Sequence, residues 1–146
     1  MPDKLRKFIR CLDVLRPGAS MGQIAKGQTD LGVTFPEDYV QFMLRSDGGE
    51  GWLVPNYIML YDLEDVIYTN RLYAEFSVEF LVFGSNGGGE FFAFDTQADP
   101  MPVVTINMVS FSREDAIFCG RTFTEFLEFL YQGGNIIEGL PRSADE

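Results

Sequence analysis

The side chains able to do chemistry in this chain are carboxylates, and several come in close pairs: Asp47 with Glu50, Glu64 with Asp65, and Glu114 with Asp115. Two acids can share general acid and base work or hold a metal ion. A glycosidase, however, needs its carboxylates at a set separation across a cleft, and adjacency in sequence does not supply that. Calcium would ask for a DxDxDG run, which does not occur. These pairs therefore read as solvated surface acid. Histidine is absent, so no Ser-His or Cys-His nucleophilic pair and no imidazole ligand can be built. Cys11 and Cys119 are far apart and belong to no CxxC pair, which leaves zinc and redox chemistry without support and predicts two reduced, buried thiols. The run Gly87-Gly88-Gly89 lacks the Lys-Ser/Thr ending of a phosphate loop and precedes a strand pattern, so it reads as a hairpin turn. No catalytic residue, metal or cofactor is expected.

One segment stands apart. Asp47-Gly48-Gly49-Glu50-Gly51-Trp52 sets two acids beside the only tryptophan of the chain on a glycine-rich stretch. Tryptophan is enriched at the energetic centre of protein interfaces, and neighbouring acids would complement a basic partner. Alternatively, Trp52 begins a strand inside the core. Glu90 and Asp95, at the two ends of an apolar stretch, form a second candidate, unless Asp95 accepts backbone hydrogen bonds within the fold.

Charge points the same way. The formal net charge is −11. Up to residue 30 basic residues outnumber acids; beyond it, nineteen carboxylates oppose five arginines. Such a body repels a phosphate backbone, which argues against nucleic acid, and it attracts a basic protein. Acidity also serves solubility. The chain shows no apolar run of membrane-spanning length, and Met1-Pro2-Asp3-Lys4 is not a secretory leader, so a cytoplasmic protein without a membrane partner is expected.

The elements that must position these residues follow from periodicity. A length of 146 residues, with 46% hydrophobic and 14% aromatic content, suits one domain with a substantial core. Residues 3–16 carry Leu5, Phe8, Ile9, Leu12 and Leu15 at helical spacing. Ser20 and Gln23 fit a capping box opening a helix over 20–31, with Ile24 and Leu31 on one face. Pro36 with Glu37 and Asp38 opens a third helix, carrying Tyr39, Phe42 and Met43 inward and leaving by Gly48-Gly49 in the left-handed region. Strands are expected over 52–54, 57–61, 79–83, 90–95, 103–108 and 115–119. Between the second and third of these lies a helix over 62–73, capped by Asp62 and turning Leu63, Val66, Ile67 and Leu72 inward. Thr122 and Glu125 cap a final helix whose stripe is Phe123, Phe126, Leu127 and Leu130. Helices, then successive strands, then a helix imply an α+β fold: a central, mostly antiparallel sheet with helices packed on it. The packed core is expected over about 3–134, with 135–146 as a tail.

Three blocks in this order resemble the SUKH superfamily, in the branch similar to fungal cell-wall-assembly regulators. The first runs from Leu31-Gly32 through Phe35-Pro36-Glu37-Asp38-Tyr39 to Asp47-Gly48-Gly49, where Asp47 replaces the usual asparagine. The second is Val82-Phe83-Gly84 through Gly88-Gly89-Glu90 to Asp95. The third is Thr122-Phe123-Thr124-Glu125-Phe126-Leu127. The resemblance marks Pro36, Gly48, Gly49, Gly84, Gly88, Asp95 and Phe126 as structural motif positions. It implies a non-catalytic immunity protein that binds and neutralises a toxin, often a nuclease, delivered between competing cells. An intracellular regulatory scaffold without a toxin partner is the alternative, and a carboxylate hydrolase would demand a cleft holding two acids, one with a raised pKa. The resulting expectation is a protein partner, such as a basic toxin domain, met by an acidic surface through Asp47, Glu50, Trp52 and Glu90, with the chain itself a monomer or weak homodimer.

Overall fold

Each strand of this chain pairs with its neighbour in sequence. In a computed structural model describing residues 3–75 and 78–142, the elements run α1 (Asp3–Cys11), β1 (Leu12–Leu15), α2 (Met21–Leu31), α3 (Glu37–Arg45), β2 (Gly49–Leu53), β3 (Asn56–Leu60), α4 (Leu63–Tyr73), β4 (Phe80–Ser85), β5 (Glu90–Asp95), β6 (Val103–Asn107), a short 3-10 turn at Arg113–Asp115, β7 (Ile117–Gly120) and α5 (Phe123–Tyr131). The seven strands form one antiparallel sheet in the order β1 to β7. The α+β architecture expected from the sequence is therefore present.

Alternation along the strands splits the apolar residues between two faces. Leu81, Phe83, Phe92 and Phe94 point to the face covered by helices, where they meet Leu5 and Phe8 of α1, Tyr39, Phe42 and Met43 of α3, and Phe123, Phe126 and Leu130 of α5. Phe80, Val82, Phe91, Ala93, Val104 and Ile106 point the other way and are sealed by Phe111, with Tyr73 packed against them. Covered on both sides, β4 and β5 read as nearly continuous apolar runs. Aromatic rings meet mostly edge to face, as Tyr39 does with Phe94 and Phe123 at 5.3 and 5.2 Å.

Helix boundaries follow local chemistry. Ser20 and Gln23 form the full reciprocal capping box, at 3.1 and 2.9 Å. Asp62 accepts from the Asp65 N–H, and Thr122 from the Glu125 N–H. Several expectations need correction. The first helix stops at Cys11, because Leu12–Leu15 pairs with Gly49–Gly51 of β2 as an edge strand; the helical spacing of Leu12 and Leu15 yields to that pairing. The third helix leaves through Ser46 in extended conformation, not through Gly48-Gly49. Leu72 points outward at 56% exposure. Cys119 is fully buried, but Cys11 is only half-buried; both are free thiols.

The chain beyond 134 is also held. Ile136 is buried, its carbonyl accepts from the Thr105 hydroxyl at 3.0 Å, and the Leu140 N–H donates to the Phe118 carbonyl at 2.8 Å. Residues 143–146 of the expected tail lie outside the described residues. Among the described residues, no helix is long and apolar enough to cross a membrane.

Candidate functional site

Strand β2 positions the two central candidates. Gly51 and Leu53 are buried while Glu50 and Trp52 alternate with them, so these two side chains project from the opposite face of the sheet. Trp52 is 55% exposed, which decides against its placement in the core. Its ring meets Tyr57, its cross-strand neighbour on β3, edge-on at 4.9 Å. The Tyr57 hydroxyl in turn donates to Glu50 Oε2 at 2.6 Å. That hydrogen bond, with the carboxylate charge, raises the Tyr57 pKa. The result is a fixed aromatic pair with a carboxylate beside it.

Glu90 joins this surface from the other side. It opens β5, where its carboxylate accepts from the Asn86 carboxamide at 3.0 Å and its N–H donates to Asn86 Oδ1 at 3.1 Å. Trp52, Tyr57 and Glu90 line one groove of about 290 Å³, closed at its back by Leu130 and Ile136.

Asp47 does not belong to this group. Its Oδ1 accepts from the Leu63 N–H at 2.8 Å, so it caps α4 alongside Asp62. Partial burial raises its pKa against the opposing Leu63 hydrogen bond and Arg16, with Asp62 and Asp65 adding to the rise. The raised carboxyl of the hydrolase expectation is thus turned into a helix terminus. A groove of about 1300 Å³ between the α2–α3 linker and residues 96–101 has Glu37, Asp38 and Asp99 in its wall but not Asp47. Asp38 is itself engaged, accepting from both the N–H and the hydroxyl of Thr124 at 2.9 and 2.8 Å. No cluster of three or more potential metal ligands occurs among the described residues.

The motif positions have structural work. Pro36 precedes the first turn of α3, and its carbonyl accepts from the Val40 N–H. Gly48 has φ of 81°, and a Cβ there would sit 2.5 Å from the Leu60 carbonyl oxygen. Gly49 pairs with Leu15. Gly84 lies at a bulge where a Cβ would stand 2.5 Å from the Met59 carbonyl oxygen, so β3 and β4 approach closely only without a side chain. Gly88 donates its N–H to Asn86 Oδ1 in the hairpin turn. Phe126 is fully buried. Asp95, also buried, forms a two-pronged ion pair with Arg113 at 2.9 Å for each bond and accepts from the Gln97 N–H, so both the ion pair and the backbone bond are internal to the fold. Arg113 lies over the Phe80 ring at 5.0 Å.

The family model of SMI1 / KNR4 (SUKH-1) matches residues 18–129, from the turn before α2 through most of α5. The chain belongs to this SUKH-1 family. No match was found among curated proteins. The SUKH-1 match covers every motif glycine discussed above as well as Trp52, Tyr57 and Glu90. Two functional candidates escaped the sequence reading: Tyr57, whose hydroxyl fixes Glu50, and Asn86, whose side chain fixes Glu90. Their signal was local in both cases, a tyrosine following a turn and an asparagine opening a glycine run.

Proposed function

We propose that this SUKH-1 protein is a non-catalytic immunity protein that binds and neutralises a basic toxin domain through an acidic, aromatic-anchored surface. The observation that carries this reading is Trp52, the only tryptophan of the chain, held half in solvent against Tyr57 with Glu50 on the same sheet face. An exposed tryptophan backed by a fixed ring loses little side-chain freedom on binding, which suits an interface anchor. Family membership supports the same reading, since SUKH proteins include toxin-immunity proteins. The net charge of −11 supports it further, because the polyanionic surface resembles the phosphate backbone that a basic nuclease domain would recognise.

Co-expression tests the proposal. The C-terminal domain encoded by the adjacent upstream reading frame is produced in cells with and without this protein, and survivors are counted. Rescue with a co-purifying complex is expected. Killing that this protein does not relieve would reject the pairing and favour a regulatory interaction protein.

A further inference from the structure

The meander places three connections at one end of the sheet: the β2–β3 turn, the β4–β5 hairpin and the β6–β7 loop. Helix α5 runs back to the same end and delivers residues 135–137 there. Three asparagines brace these segments. Asn86 Oδ1 accepts from the N–H groups of Gly88 and Glu90, Asn107 Oδ1 from Val109 and Ser110, and Asn135 Oδ1 from Ile137 and Glu138. The loops are therefore ordered, yet they hold large apolar side chains in water: Val109 is 95% exposed and Ile137 60%.

Between these side chains run two grooves. One, of about 290 Å³, starts at Trp52; the other, of about 450 Å³, reaches Val109. Glu90 and Ile137 line both, so the two lie side by side. Among the described residues, neither is lined by a lysine or arginine. The carboxylates inside are bonded to neutral groups: Glu90 to the Asn86 carboxamide, and Asp115 to the Ser112 hydroxyl at 3.2 Å. Some acids elsewhere have cations beside them, as Asp95 has Arg113, Asp30 has Lys26 and Glu128 has Lys7, whereas Glu50 beside these grooves is, like Glu90 and Asp115, bonded to a neutral group. A braced, apolar-rimmed trough holding carboxylates without cations is complementary to an extended segment bearing arginine or lysine among apolar residues.

We infer that the hairpin end of the sheet, from Trp52 across Glu90 and Ile137 to Val109, is the surface on which the partner docks, and that it receives an extended basic segment of that partner. This deepens the protein-binding reading above and rests on it. Asp47, before the first residue of β2 and bonded to the α4 terminus, takes no part.

The test titrates the isotopically labelled full chain with a capped decapeptide of alternating arginine and valine, against the same peptide with glutamate for arginine, at low salt. Tryptophan emission reports Trp52, and amide shifts report the remainder. The expected result is a Trp52 emission change with shifts at Tyr57, Gly88, Val109 and Ile137 for the arginine peptide alone. The double variant Glu90→Gln with Asp115→Asn should weaken it on the order of tenfold, as should added salt. Shifts centred on the α4 terminus instead would overturn the hairpin end as the docking surface while leaving binding through an acidic face intact. Absence of any response to the arginine peptide would also overturn it. The protein-binding reading stands or falls separately, on the co-expression rescue.

Discussion

The carboxamide of Asn70 on α4 makes both backbone hydrogen bonds to Val82 on β4: Nδ2 donates to its carbonyl at 2.8 Å, and Oδ1 accepts from its N–H at 2.8 Å. Strand β3 pairs with β4 only at Met59 and Leu60 before the chain turns into α4. Asn70 takes the place of the missing strand residue. Val82 is fully buried, so its backbone groups have no water to turn to. Asn70→Ala should therefore cost about 2–6 kcal/mol, the sum for two buried groups left without a partner. Urea unfolding should show a lower midpoint at unchanged slope. A loss within ordinary surface-mutation range would show that β4 finds another partner there.

A second long-range cap joins the ends of two helices. Asp38 in the first turn of α3 receives the N–H and the hydroxyl of Thr124, in the first turn of α5. Asp38→Ala should cost about 1–2 kcal/mol, as for loss of an N-terminal cap. In a double-mutant cycle with Thr124→Ala, the two losses should be less than additive. Additive losses would mean that the Asp38 carboxylate acts on something other than Thr124.

These two contacts mark the boundary of what the sequence discloses. Ser20 with Gln23 and Thr122 with Glu125 are read directly, because both partners lie within one turn. The buried stripe of α5 is equally legible, since periodicity of apolar residues and burial are the same physical fact. Leu12 and Leu15 mislead: their spacing continues that of Leu5 and Phe8, but the glycines of β2 offer a pairing surface that local pattern cannot register. Local pattern leaves Trp52 open, because a β-prone aromatic suits either face of a strand. Only the register, with Gly51 and Leu53 inward, settles its side. Asn70 and Asp38 could not be assigned, as their partners lie 12 and 86 residues away.

Two aspartates should respond to pH with opposite sign. Arg113 holds the Asp95 carboxyl below the usual carboxylate range. Its folded pKa thus lies under its unfolded value, so its contribution is present above the unfolded pKa and is lost as pH falls through the folded one. Asp47 is the reverse. Partial burial raises its pKa, so its ionised form is disfavoured on folding above the unfolded value, and acidification relieves that cost. Asp95→Asn should lower stability at neutral pH and flatten its decline under acid. Asp47→Asn, which keeps an oxygen for the Leu63 N–H, should be neutral or stabilising at neutral pH. Thermal unfolding across the acid range measures both; shifts of the same sign at neutral pH would contradict these environments.

Trp52 separates stability from binding. The ring is more than half exposed and meets Tyr57 across the strands, so Trp52→Ala should change unfolding free energy by no more than about 1 kcal/mol, the range for one cross-strand aromatic pair. The same substitution removes the aromatic anchor of the proposed interface and should shorten the lifetime of the complex with the co-purifying partner. Glu50→Gln keeps an acceptor for the Tyr57 hydroxyl but loses the charge, so it should act mainly on association and on its salt dependence. Surface-captured protein exposed to the partner yields both rates. Faster dissociation for Trp52→Ala, with slower association for Glu50→Gln, is the expected pattern. A large stability loss for Trp52→Ala with unchanged partner kinetics would make this tryptophan a structural residue, and the aromatic anchor would have to be sought elsewhere on the sheet.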